Sequence, residues 1–242
     1  MNLKPEDAAQ LIEQTHSTGT VLIGGQAVAF WARYFGIAPR LPALTTDIDY
    51  LGTKAEAIRV SHRLKLRHEL EVATFDDATP NSAVLKVTLD GYPEPIIIDY
   101  LAAIIGLESR AIARSAITVE FENESLRVLH PLQLLEAKIW NLYRLETKRT
   151  PEGIEQARLA IEIVAAYIDH AQMSQKELLK AIEVIARFAA TVPARYARGH
   201  FGLDCLKAIP ASVFQEGILP APFHEKRWPQ LVAAAGGSLT AG

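Results

Sequence analysis

The stretch VLIGGQAVAFWARYFG, residues 21–36, opens on a short β-branched run and breaks at two glycines. It continues with Ala27, Phe30, Trp31 and Tyr34 at helical spacing. A strand, a Gly-Gly turn and a helix N-terminus together make a place to hold an anion. The first N–H groups of the helix are free, and its dipole favours negative charge. Gly24 and Gly25 also read as a plain tight turn, whereas a dinucleotide-binding loop is excluded because no third glycine follows at the required spacing.

A second stretch, LTTDIDYLG (44–52), alternates polar and apolar side chains as a strand does. Asp47 and Asp49 then share one face, with Ile48 and Tyr50 on the other. Like charges held so close repel, and a divalent cation is the usual remedy. Asp99 ends a further apolar run, PIIIDYL (95–101), 50 residues after Asp49. A helix and two strands fit in that interval, so Asp99 is expected on a strand beside the first pair. Three carboxylates suit Mg²⁺ or Mn²⁺, which share ligands with phosphates. A phosphate cradle beside such a site predicts nucleotidyl transfer from a nucleoside triphosphate, with Asp99 as general base or as a bridge to the incoming hydroxyl.

The 242 residues are 49 % hydrophobic and 22 % charged, with a formal charge of −3, as expected of a globular chain with a real core. That charge does not demand a nucleic-acid partner. A single cysteine, Cys205, excludes an internal disulfide framework and a Cys-rich zinc site, and reads as an inert buried thiol in an apolar helix. The first residues, MNLKPEDAAQLIEQTH, are charged and amphipathic rather than a signal peptide. No uncharged apolar run reaches the ~20 residues of a membrane span, so a cytoplasmic protein with no membrane partner is expected.

Periodicity predicts a helix over 5–16, a strand over 21–23, a helix over 26–36 and one basic helix from 54 to 70. Strand-like runs follow at 70–75, 83–90 and 95–101, then a hairpin turning at Asn123-Glu124. From Pro131 to about residue 208 the pattern is helical, and after Pro210 it reads as irregular, ending in a loose GGSLTAG tail. The expected fold is α+β: a mixed sheet with flanking helices over 1–129, then a C-terminal helical bundle with an irregular tail over 130–242. His62 and His68, six apart in the basic helix, are poor joint metal ligands. Arg59, Arg63, Lys65 and Arg67 offer a face for a polyanion such as tRNA, and Trp140 and Tyr143 read as core.

Taken together, IGGQAVAFWARYFG, LTTDIDYLG and IIIDYL resemble the polymerase-β-type nucleotidyltransferases. The order of these motifs, followed by LESRAIARSAITVEFENESLRVLHPLQLLEAK and a helical second half, is similar to the AbiEii-type family over about residues 20–165. The resemblance implies Mg²⁺-dependent transfer from a nucleoside triphosphate. It also implies action as a toxin of a toxin–antitoxin pair, with an antitoxin protein as partner and, in some members, tRNA as acceptor. It matches a family lysine to Lys138, which would neutralise triphosphate charge.

Two features depart from the family pattern. The segment KRTPEGIEQARLAIEIV offers Glu155 where family members often carry an aspartate, and Asp47 follows Gly25 by 22 residues, a longer gap than usual. The extra IAPRLPA is expected to loop over the site, with Arg40 reaching a phosphate. The Glu155 departure supports an alternative reading, a nucleotide-binding or interaction module with weak or no catalysis.

Overall fold

The computed structural model describes residues 3–41, 45–74, 76–77, 79–121 and 124–236. The first part is α+β. Helix α1 (Pro5–Thr15) starts with proline in its first turn and Glu6 and Asp7 near its positive end. Strand β1 (Val21–Ile23) runs straight into α2 (Gly24–Tyr34). Then come β2 (Ile48–Leu51), α3 (Lys54–Arg63), β3 (His68–Val72), β4 (Asn81–Val87), β5 (Ile96–Leu101), α4 (Ser109–Ser115), β6 (Ile117–Phe121) and β7 (Glu124–Val128).

These strands form one mixed sheet in the order β3-β4-β5-β2-β1-β7-β6. Strand β2 is antiparallel to β1 and parallel to β5, and β1 is parallel to β7. The expected helix and two strands between the acidic motifs are α3, β3 and β4. Tyr50 and Tyr100, fully buried on neighbouring strands, stack with ring centroids 5.5 Å apart and cover the face opposite the aspartates.

The second part is helical: α5 (Pro131–Arg144), a 3₁₀ turn (Glu146–Lys148), α6 (Pro151–His170), α7 (Gln175–Ala189) and α8 (Val192–Phe201). Their starts are written in the sequence. Thr150 caps α6 ahead of Pro151, and Ser174 with Glu177 forms a capping box on α7. One hydrophobic core runs through both parts, and the indole N–H of Trp31 on α2 donates to Leu129 O at 2.9 Å where they meet. Among the described residues no helix is long and apolar enough to cross a membrane.

Several expectations need correction. The basic helix stops at Arg63, and His68 lies on β3. Arg63 is drawn back to His16 O, and from His68 onward the chain pairs with β4, a tertiary gain that helix propensity cannot register. Helix α4 arises in a segment to which periodicity assigned no element. Cys205 is buried, as expected, but in a 3₁₀ turn (Cys205–Ala208) rather than a helix, and burial pushes its thiol up to about 12. The chain after Pro210 is not irregular throughout. It forms 3₁₀ and π turns and a final helix α9 (Trp228–Ala234), whose Leu231 and Val232 are buried. Residues 42–44 near the expected covering loop, Glu122 and Asn123 at the hairpin turn, and the tail beyond 236 lie outside the described residues.

Candidate metal and phosphate site

Register builds the site. The parallel pairing of β2 with β5 places Asp49 directly opposite Asp99, and Asp47 sits just ahead of β2. One carboxylate oxygen from each of Asp47, Asp49 and Asp99 lies within 4.8 Å of the others, and all three residues are half-buried. Asp47 and Asp99 are each held by hydrogen bonds. Thr45 Oγ1 donates to Asp47 Oδ1, and Gln26 Nε2, on the buried side of α2, donates to Asp47 O at 3.3 Å. Asn81 Nδ2 donates to Asp99 Oδ1 at 2.9 Å. The pairing of β4 with β5 is irregular between Asn81 and Ala83, beside the point where Asn81 reaches Asp99.

The glycine pair is shaped by these aspartates. Ile23 pairs with Asp49 across β1 and β2, so α2 begins against the Asp49 side chain. Gly24 has φ +67°, and a Cβ there would stand 2.6 Å from Asp49 Cγ and overlap its carboxylate. A Cβ on Gly25 would stand 2.8 Å from Thr45 Oγ1. Only glycine lets the first turn of α2, with its free N–H groups, approach the acidic cluster this closely.

The electrostatics are those of crowded carboxylates. Burial raises the pKa of Asp49, and the charges of Asp47 and Asp99 add to it, while Lys138 and Lys148 oppose the rise. Burial and Asp47 likewise raise Asp99, against Lys148 and the Asn81 hydrogen bond. Lys138 is buried on α5, donates to Gln156 Oε1 at 2.7 Å, and has its pKa lowered by burial and by Lys148 while Asp49 and Asp47 hold it up. Three crowded carboxylates fit a hard divalent cation, whose charge would offset their mutual repulsion.

Arg40 borders a separate cavity. Its backbone N–H donates to Glu155 Oε1 at 2.6 Å, and it lines a cavity of about 660 Å³ with Arg158, Phe201, Asp204 and Lys207. Glu155 is itself taken by Arg158, whose Nε and Nη2 donate at 2.7 and 2.6 Å. None of the three aspartates lines this cavity. On α3, Arg59 pairs with Glu56 and Arg63 donates to His16 O, so two of the four expected basic groups are engaged within the chain. Trp140 packs against Gly106, and Tyr143 meets Tyr196 edge to face at 5.5 Å. Sequence reading missed Lys148. It sits in a 3₁₀ turn with no periodic signal, and only the fold brings its charge to bear on Asp49 and Asp99.

No protein-family model and no curated protein matches the chain. Among solved structures, it is similar to JHP933 from Helicobacter pylori, with 11 % identity, a TM-score of 0.44, and 97 % of this chain and 90 % of that one covered. A second H. pylori structure, assigned provisionally as a nucleotidyltransferase, has 11 % identity, a TM-score of 0.43 and coverage of 97 % and 93 %. Likeness at this level carries no conclusion about what the chain does.

Proposed function

We propose that this chain is a metal-dependent nucleotidyltransferase. The observation that carries the reading is the register that sets Asp49 opposite Asp99, with the Asp47 carboxylate beside them, at the glycine-opened start of α2. Asp47, Asp49 and Asp99 would hold Mg²⁺ or Mn²⁺. Such ions supply charge neutralisation on the triphosphate and acidify a bound hydroxyl. Gly24 and Gly25 let the first N–H groups of α2 reach a phosphate, and Lys138 balances the charge of Asp49. An acceptor oxygen attacks the α-phosphorus, the bond to pyrophosphate breaks, and Asp99 receives the hydroxyl proton. The acceptor hydroxyl would belong to a tRNA, a protein or a small molecule. A role as a toxin restrained by an antitoxin protein in the cytoplasm follows from the family resemblance alone.

A second reading is a nucleotide-binding module without turnover. It is favoured by Glu155, which is spent on Arg158 and the Arg40 backbone rather than turned toward the aspartates. Titration calorimetry with ATP, GTP, CTP and UTP, with and without Mg²⁺, tests both readings. Metal-dependent binding that disappears in Asp47→Asn supports the site, and pyrophosphate release with an acceptor then separates enzyme from module. Absence of binding to all four triphosphates would sink both.

A further inference from the structure

Apart from the cavity that Arg40 borders, helices α1 and α2 flank a second one of about 260 Å³. Ala8, Ala9 and Ile12 of α1 line one side of it, and Ala29 and Phe30 of α2 line the other. Alanine at three of these places leaves room that a larger side chain would fill. The polar groups in the lining are few: Gln26, Thr45 and Arg33. On α2 the lining positions 26, 29, 30 and 33 are spaced three and four apart, which puts them on one helix face. Gln26 and Arg33 end that stripe, roughly 10 Å apart along the axis.

The two ends differ in chemistry. Gln26 is 7 % exposed. Its Nε2 donates to Asp47 O, while its Oε1 has no hydrogen-bond partner among the described residues. That oxygen is not sealed into the core, so a donor entering the cavity meets a vacant acceptor. Thr45, also in the lining, donates to Asp47 Oδ1. The cavity is therefore walled in part by both side chains that hold Asp47. At the other end Arg33 is exposed, and its guanidinium makes no hydrogen bond or ion pair with any described residue. Between the ends the lining is apolar. A dry cavity of about 150 Å³ takes up benzene, so this one suits a body of about ten non-hydrogen atoms.

We propose that this cavity is an effector site for a small amphipathic acid. The apolar body lies between α1 and α2, the acid group meets Arg33, and a hydroxyl or N–H at the far end donates to Gln26 Oε1. Occupancy fixes the Gln26 amide in the orientation that donates to Asp47 O, so effector and metal bind cooperatively. The inference goes beyond the nucleotidyltransferase reading and shares with it only the metal at Asp47.

The test is calorimetric titration of the full chain with para-hydroxyphenylpropionate, an acid with an apolar ring and a terminal hydroxyl, with and without Mn²⁺. Mn²⁺ is expected to tighten the probe about threefold or more, and the probe to tighten Mn²⁺ by the same factor. Phenylpropionate, which lacks the hydroxyl, should bind without that coupling. Arg33→Ala should weaken the acid about threefold or more and leave its neutral amide unaffected. Ala29→Leu fills the cavity with a good helix former, and should abolish probe binding while the Mn²⁺ affinity stays unchanged. Probe binding that both variants leave intact would overturn the proposal. So would a wild-type chain that binds Mn²⁺ but not the probe, or binds the two independently; in these cases the nucleotidyltransferase reading stands. A chain that binds the probe but no Mn²⁺ would overturn the coupling and the metal site together.

Discussion

Replacing Gly24 with alanine separates two demands made on that position. The first is conformational: φ is +67°, and a residue with a Cβ costs about 1 kcal/mol or more in that region. Gly36 provides the control, since it has φ +68° and nothing within 4 Å of a built Cβ. Gly36→Ala should therefore lose about 1 kcal/mol from the backbone alone. At Gly24 the new methyl would also lie 2.6 Å from Asp49 Cγ and 2.8 Å from its Cβ, well inside the ~3.5 Å of comfortable carbon contact. Asp49 must then turn away from its rotamer, which adds about 0.5–1.5 kcal/mol. The expected total for Gly24→Ala is about 2–3 kcal/mol. Urea unfolding of metal-free protein, with unchanged m-value, measures both variants. Mn²⁺ titration should show affinity kept in Gly36→Ala and lost in Gly24→Ala. Equal stability losses, with Mn²⁺ binding intact in both, would refute the claim that Asp49 and Gly24 share one space.

Asp47→Asn keeps the shape that Thr45 bonds to but removes a charge that pushes on both Asp49 and Asp99. Metal-free stability should rise by about 1 kcal/mol while Mn²⁺ binding is lost, and a fall in stability would count against mutual repulsion. His130 caps α5 by accepting from Leu132 N at 3.2 Å, and burial lowers its pKa to about 4. Its ring stays neutral in the native state while the unfolded chain protonates near 6.5. Stability from this group is thus full above about 6.5 and is lost by about 2–3 kcal/mol as pH falls toward 4. His130→Asn, a cap that does not titrate, should flatten that slope in denaturation curves taken between pH 7 and 4. Glu155→Gln should cost about 1–2 kcal/mol, because it removes the more buried of the two carboxylates on Arg158 and leaves only Glu162. It should also speed tryptic cleavage after Arg40, whose backbone Glu155 holds.

The parts of the fold that were legible are those with local causes. The Gly-Gly break, the period-two aspartates and the Thr150-Pro151 and Ser174 starts each declare themselves within a few residues. The place of Asp99 followed from counting the elements that fit before it. Hidden from that reading were features decided across the chain. RLKLRHEL contains no glycine or proline to stop α3, and the stop comes from β4 claiming His68–Val72. Proline density disguised α9, where Pro229 sits in the first turn and is tolerated. Arg40 was read from the extra IAPRLPA segment, and its backbone is fixed by Glu155, far along the chain, which no local pattern announces. Lys148 had no pattern at all to betray it.

All three aspartates lie on the sheet or at its edge, Asp49 and Asp99 on strands and Asp47 just ahead of β2, whereas both lysines that temper them come later in the chain, on α5 and the 3₁₀ turn after it. The ribosome therefore delivers the negative half of the site first. A nascent chain that has emerged only through β7 carries Asp49 and Asp99 on paired strands with Asp47 beside them, and neither Lys138 nor Lys148 is available. Its short central strand β1 must pair with β7, and Trp31 must wait for Leu129, before α5 has a surface to dock on. Such distant pairings close slowly. The order of synthesis thus acts as a timer: the carboxylates meet their counter-charges, and the site its full chemistry, only after the helical part has followed the sheet.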